Sequence, residues 1–280
     1  MVHAWSENDL QYFKGKMLQD EKATVTIEKY MRDIRAFFRY IGYRREIGKE
    51  QVLDYKKHII SKYAPASVNS MLAALNCFFR EMEWYDCTVK CLKIQRDSFR
   101  SQEQELSKGE YYRLLDAAKR KGDHRLNLLM QTICATGIRV SELRFITTEA
   151  IKNGYARVGL KGKTRTVLLP DKLCRKLKKY AGERQIQKGC IFITKSGRPM
   201  DRSNIFHAMK KLCDEAGVSS KKVFPHNLRH LFACTFYRLK KDLSRLADIL
   251  GHSNINTTRI YTQISGREQL RQIEQLDLVV

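Results

Sequence analysis

The stretch Ala135-Thr136-Gly137-Ile138-Arg139-Val140-Ser141-Glu142-Leu143 sets a glycine between two helical runs. Glycine takes up left-handed backbone without a Cβ clash, so Gly137 is expected to end one helix. Arg139 then falls near the start of the next. Glu142, three positions on, shares its face and can orient the guanidinium. Taken alone, the pair is equally an ordinary surface ion pair.

Outward from this point the chain reads as mainly α. On the C-terminal side the helical pattern is interrupted once, over residues 155–169, where two short β-like runs flank Lys161-Gly162-Lys163-Thr164. Glycine in the turn marks a hairpin. Ile191-Phe192-Ile193 is expected to add a third strand to this small sheet. Residues 266–280 read as a short amphipathic helix with Leu270, Ile273 and Leu276 on one side. On the N-terminal side, Ser107-Lys108-Gly109-Glu110 has the form of a capping box with Leu106 as its staple, so a domain opens there. Residues 93–105 are polar and aperiodic and read as a linker.

Before the linker, two stripes recur at helical spacing: Ile27, Tyr30, Met31, Ile34, Phe37, Phe38 and Ile41, then Val68, Met71, Leu72, Leu75, Phe78, Phe79 and Met82. Gly42 stands where the first should stop; Pro65 and a cap at Ser67 open the second. Shorter helices are expected over residues 6–17 and 50–62. The paired aromatics read as bundle core rather than base-stacking platforms. The organisation that follows is a helical domain over 1–92, a linker over 93–105 and a second domain over 106–280.

Lys and Arg number 53 against 30 Asp and Glu, a net charge of +23 in 280 residues. Such an excess strains a compact fold by self-repulsion and points to an anionic partner. Nucleic acid fits best, because Lys and Arg displace counterions condensed on a row of phosphates. An acidic membrane surface fits less well, since no long basic amphipathic stretch is present. No apolar run reaches 18 residues, and the start Met1-Val2-His3-Ala4-Trp5-Ser6 has no basic region followed by an apolar core. Neither a membrane span nor a secretory signal is read there, and a cytoplasmic protein is expected. The eight cysteines are scattered and read as reduced core residues. Cys87 and Cys91 lack a second Cys/His pair at ligand spacing, so no metal site is expected.

Three more segments carry chemistry. Lys161 and Lys163 sit at a hairpin tip, which can enter a groove or simply be solvated. In Phe224-Pro225-His226-Asn227-Leu228-Arg229-His230, Pro225 suits the first turn of a helix, and His226 and Arg229 then share a face. A planar guanidinium beside an imidazole suits a phosphate gathering charge on its oxygens, although a surface Arg–His pair reads the same way. In Leu250-Gly251-His252-Ser253-Asn254-Ile255-Asn256-Thr257-Thr258-Arg259-Ile260-Tyr261, His252 follows a helix-ending glycine, and Tyr261 is expected on the next short helix. A lone tyrosine there is most often a partly buried aromatic. No acidic cluster is placed for paired Mg²⁺, and no glycine-rich phosphate loop exists. The positive charge that meets a phosphate must then come from side chains, and no cofactor is expected.

The ordered set Gly-Ile-Arg139-x-x-Glu, Lys161-Gly, His226-x-Leu-Arg229-His and Leu-Gly-His252 followed by Tyr261 resembles the tyrosine recombinase/integrase family, in particular its short Xer-type and mobile-element members. The resemblance spans nearly the whole chain, including Thr24, Tyr30 and Phe38 in the first helical stripe. It implies an N-terminal helical, SAM-like core-binding domain that clamps DNA and a C-terminal catalytic domain. It further implies Arg139, Lys161, His226, Arg229 and His252 as a catalytic cradle and Tyr261 as the nucleophile, with Glu142 and Lys163 in support. Here the family's Lys-Gly-x-Lys-x-Arg is one residue tighter, as Lys161-Gly162-Lys163-Thr164-Arg165. Lys161, which precedes the glycine, is the expected acid, with Lys163 as the alternative.

What the resemblance implies for activity is strand exchange through a 3′-phosphotyrosyl bond and a Holliday junction, with no cofactor. The arginines would hold the non-bridging oxygens, His226 would assist proton transfer, and His252 would hydrogen-bond the phosphate. The implied partner is double-stranded DNA, bound by a homotetramer on two sites or by a tetramer that includes a second recombinase. A type IB topoisomerase shares this chemistry. A non-catalytic helical DNA-binding regulator accounts for charge and helices but not for the ordered set, and an RNA-binding module accounts for charge alone.

Overall fold

The computed structural model describes residues 1–43, 46–94, 105–160, 163–261 and 274–275. It divides into two compact units, Met1–Arg96 and Asp97–Val280. Most of the linker expected over 93–105 and most of the C-terminal helix expected over 266–280 lie outside the described residues.

The first unit is built from α1 (Glu7–Gln19), α2 (Thr24–Tyr40), α3 (Lys49–Lys62) and α4 (Pro65–Glu81). The apolar stripes of α2 and α4 face each other, which buries Phe37, Phe38, Phe78 and Phe79 completely together with Phe13 of α1. Their rings meet edge to face, with Phe13–Phe78 at 5.5 Å and Phe38–Phe78 at 5.8 Å. Each such pair adds about 0.5–1.5 kcal/mol beyond area burial. Gly42, at φ +66°, follows the end of α2 as expected. α4 starts earlier than its expected cap. Ala64 is the cap and Pro65 the first residue, so Ser67 lies inside the helix. Proline fits because the first turn leaves its N–H unbonded anyway. A short antiparallel pair, β1 (Val2–Ala4) with β2 (Glu46–Gly48), was not foreseen; its strands are remote in sequence and no turn signal joins them.

The second unit opens with α5 (Lys108–Arg120) on the expected capping box. Glu110 N donates to Ser107 Oγ at 3.2 Å, and Ser107 N donates to the Glu110 carboxylate at 2.8 Å. There follow α6 (His124–Thr136), α7 (Thr148–Asn153), the hairpin β3 (Tyr155–Leu160) and β4 (Lys163–Leu168), α8 (Asp171–Glu183), α9 (Arg202–Lys210), α10 (Cys213–Ala216), α11 (Pro225–Lys240) and α12 (Leu243–Leu250). The hairpin is antiparallel and in register from Tyr155↔Leu168 to Leu160↔Lys163. The third strand expected at Ile191-Phe192-Ile193 is reduced to isolated bridges, Thr147↔Cys190 and Ile193↔Pro199. Ile191 and Phe192 are apolar because they are buried against the core, not because they pair in a sheet.

α6 runs through the middle of this unit and packs along α11, with Leu129, Met130 and Ile133 fully buried. α6 ends at Gly137 (φ +65°) and α12 at Gly251 (φ +64°), both left-handed. A smaller apolar cluster of Ala233, Leu246, Leu250 and Tyr261 joins α11, α12 and the 3₁₀ turn Arg259–Tyr261. All eight cysteines are free thiols. Among the described residues no helix is long and apolar enough to cross a membrane.

Candidate active site

The two left-handed glycines bring the site together. A Cβ on Gly137 would stand 2.5 Å from Phe232 Cδ1 and 2.9 Å from Leu250 Cδ2, so only glycine lets the end of α6 approach α11 and α12 this closely. That approach delivers the Gly137 carbonyl to Arg229, whose Nη1 donates to it at 2.5 Å.

Arg229 is 3% exposed, on the buried face of α11. Its Nη2 donates to Leu250 O at 2.8 Å and to His252 Nε2 at 3.1 Å. Arg139 caps the 3₁₀ helix Val140–Phe145. Its N–H and Nη1 each donate to the Glu142 carboxylate at 2.9 Å, and its Nη2 donates to Gly251 O at 3.2 Å. The expected pairing of Arg139 with Glu142 is therefore present, but it is no surface ion pair. Glu142 is 1% exposed, and its second partner is Arg165 of β4 at 2.6 Å. Arg165 also donates Nη1 to Ile249 O at 2.7 Å.

Three guanidiniums from three separate segments thus take three consecutive carbonyls: Arg165 on Ile249, Arg229 on Leu250 and Arg139 on Gly251. These groups sit at the C-terminal end of α12, which carries unsatisfied carbonyls and the negative end of the helix dipole. Cations gathered this closely oppose one another. Burial first, then Arg139, depress the Arg229 pKa to about 10, and burial also lowers that of Arg165. Such a cluster is built to receive an anion.

His252 lies against these cations. Burial first, then Arg229, Arg139, Arg165 and His226, push its pKa down to about 4. A guanidinium only donates, so His252 Nε2 is an acceptor, and the ring proton sits on Nδ1, which donates to Thr258 Oγ1 at 2.8 Å. The expected hydrogen bond from His252 to a phosphate is therefore not poised in this arrangement, because both nitrogens are engaged within the protein.

Tyr261 is 4% exposed, on the short helix where it was expected. Its ring centroid lies 5.1 Å from that of His230 and 6.3 Å from that of His252, nearly parallel to the latter. Negative charge on its oxygen would steady the Arg229 cation. His226 is the second residue of α11 and is exposed, one turn from buried Arg229. Lys161 lies outside the described residues, and for Lys163 only the backbone, in β4, is described.

Arg139, Glu142, Arg229, His252 and Tyr261 accordingly meet in one chain. The sequence reading missed Arg165 and His230. His230 is buried, with its Nδ1 3.4 Å from Cys234 Sγ. Both residues stand inside quoted motifs, but nothing local marks either as facing the site. Cys87 turns not to Cys91 but to His3 and Asp86, in the first unit. Donor atoms of those three lie within 4.8 Å of one another and form the one metal-capable group among the described residues. His3 Nε2 and Asp86 Oδ1 are already hydrogen-bonded at 2.7 Å, and burial holds the Cys87 thiol at about 11.

Residues 104–268 match the model of the phage integrase family. The chain belongs to that family. Among its relatives, a tyrosine recombinase of Thermosipho africanus is 28% identical over 90% of this chain and 93% of its own length. Tyrosine recombinase XerD of Shewanella oneidensis is 29% identical over 89% of each. The fold is shared with solved structures of this family. Lambda integrase residues 75–356, a dimer bound to a core site, superposes with a TM-score of 0.74 at 19% identity over 95% of this chain and 97% of that one. XerH bound to its difH substrate superposes with 0.70 at 21% identity, over 96% and 84%.

Proposed function

We propose that this integrase-family chain is a cytoplasmic site-specific DNA recombinase that cuts and rejoins strands through Tyr261. The phenolic oxygen attacks the scissile phosphorus. A P–O bond to Tyr261 forms, the P–O5′ bond breaks, and the departing 5′-oxygen takes a proton from Lys161 at the hairpin turn. The 3′-phosphotyrosyl bond conserves the phosphodiester energy, and a 5′-hydroxyl from a partner strand reverses the step. Arg139 and Arg229 hold the non-bridging oxygens as charge grows on them. Arg139 does so with its exposed side, while Glu142 fixes the other. His226, at the open end of α11, moves a proton to or from the reacting oxygens. His252 orients Arg229.

The observation that carries this reading is that His252 lies 3.1 Å from Arg229 and stacks on the Tyr261 ring, centroids 6.3 Å apart, beside a guanidinium cluster with one inward carboxylate. Residues 1–92 serve as the core-binding domain, 93–105 as the linker and 106–280 as the catalytic domain.

Four protomers act on two DNA sites through a Holliday junction. Support comes from a relative, since a lambda integrase tetramer has been solved on such a junction. Further support is a groove of about 1090 Å³ between α5, α6, α8 and α11. It is apolar at Leu115, Leu231, Phe236 and Leu239 and flanked by Lys108, Lys172 and Lys176. Residues 266–280, which carry Leu270, Ile273 and Leu276, would dock there from a neighbouring copy.

The test is a nicked suicide substrate that traps the covalent complex. The native chain should form a protein–DNA adduct on its site, and Tyr261→Phe should bind that site and form none. An adduct in the variant removes Tyr261 from its role.

A further inference from the structure

We propose that Arg165 is a positioning residue for strand cleavage, acting through Glu142 on Arg139; this rests on the recombinase reading. Arg165 is the one guanidinium of the cluster that comes from the hairpin. It bridges the buried Glu142 carboxylate at 2.6 Å and the Ile249 carbonyl at 2.7 Å, beside the link that Arg139 makes from Glu142 to Gly251 O. Its stem lies directly on Gly251. A Cβ on that glycine would come within 2.7 Å of Arg165 Nε, so the backbone leading into His252 is shaped to the arginine.

Arg165 is expensive to keep there. Its Nε is buried with no hydrogen-bond partner among the described residues, and burial lowers its pKa. A fold that needed only a cation opposite Glu142 already has Arg139. The second guanidinium determines which way the carboxylate faces. Glu142 Oε2 takes Arg165 Nη2 and the Arg139 N–H, which leaves Oε1 to Arg139 Nη1. That division fixes the guanidinium plane of Arg139 and aims its remaining donors at the open side of the site. Lysine cannot replace Arg165, because one ammonium on a flexible stem cannot hold the planar two-acceptor geometry.

The same residue ties β4, the strand that follows Lys161, to the end of α12 before His252. Hairpin, Arg139 and His252 are thereby held in one register by a single side chain. Misplacing a catalytic group by about 1 Å costs on the order of a hundredfold in rate, which sets the size of the effect expected.

The experiment measures single-turnover adduct formation at saturating protein, together with the dissociation constant for the DNA site and the melting temperature. Native chain, R165K, R139A and the double variant are compared on a suicide substrate. R165K should cleave about a hundredfold more slowly while its dissociation constant moves less than threefold. In the R139A background, adding R165K should cost less than about threefold, because the residue it positions is already gone. A native-like R165K rate, or a full hundredfold loss on top of R139A, overturns the proposal. R165A with ethylguanidinium in the buffer gives a second route that does not depend on R165K folding. Recovery of cleavage supports the role, and none in a variant that melts cooperatively overturns it. A native chain that forms no adduct defeats the recombinase reading itself, an outcome distinct from any of these.

Discussion

Arg229 donates to His252 across 3.1 Å, and this fixes the imidazole as a neutral acceptor whose proton points away to Thr258. A histidine so placed cannot protonate without setting a second charge against the guanidinium. The pair is therefore held by the neutrality of one member, and the acidity of His252 is a measure of how tightly the cluster is assembled.

The His252 pKa of about 4 lies below its ordinary value of 6.5. The unfolded chain takes up a proton between those values and the folded chain does not. Folding stability should then be fully present above pH 6.5 and decline as pH falls toward 4. The loss attributable to this residue should be on the order of 1–2 kcal/mol, less than the whole shift because the ring is only partly buried. Urea unfolding at pH 7 and 4.5, for the native chain and for His252→Gln, isolates it. A pH dependence unchanged by the substitution would show that other groups carry it.

Burial and neighbouring cations bring Arg229 to about 10. A lysine in the same place would have its pKa lowered by the same burial and cations, and an ammonium loses its proton more readily than a guanidinium. Arg229→Lys should therefore form adduct roughly a hundredfold more slowly than the native chain at pH 7. It should lose further rate between pH 7 and 9, where native Arg229 stays charged. Parallel pH profiles for the two proteins would contradict the depressed ionisation.

Much of this was legible in sequence. Gly137, Gly251, Pro225 and Ser107 are local signals with local causes, and each stands at the helix end it was expected to mark. The pairing of Arg139 with Glu142 was likewise readable, since residues three apart on a helical turn share a face. What stayed hidden was everything decided by a remote partner. Arg165 reaches Ile249 across 84 residues, and nothing in Lys161-Gly162-Lys163-Thr164-Arg165 says which cation turns inward. The depth of Glu142 and the direction of the His252 ring follow from the same assembly. Ile191 and Phe192 misled for another reason: apolar runs report burial, and burial is common to a strand and to a coil held by single bridges.

Gly137→Ala tests the close approach on which the site depends. The residue has φ +65°, and the added methyl would meet Phe232 and Leu250 well inside van der Waals contact. Left-handed strain of about 1–2 kcal/mol and overpacking of about 1–3 kcal/mol act together. The variant should lose about 2–5 kcal/mol in chemical denaturation, and cleavage should fall at temperatures where it is still folded, because the carbonyl that holds Arg229 is displaced. An alanine variant of native stability would mean that α11 and α12 yield more easily than their packing suggests.

Leu239 probes the groove without touching the core. It lines the groove and is 75% exposed, so Leu239→Glu should leave folding within about 0.5 kcal/mol of native. The segment proposed to dock there carries Leu270, Ile273 and Leu276, and a carboxylate at 239 would remove apolar contact and add the cost of burying a charge. Binding to a DNA fragment with one site should be unchanged. Assembly of two fragments into a paired complex, followed by native gel or light scattering, should fall at least tenfold. If pairing is unaffected, the groove is not where neighbouring copies meet.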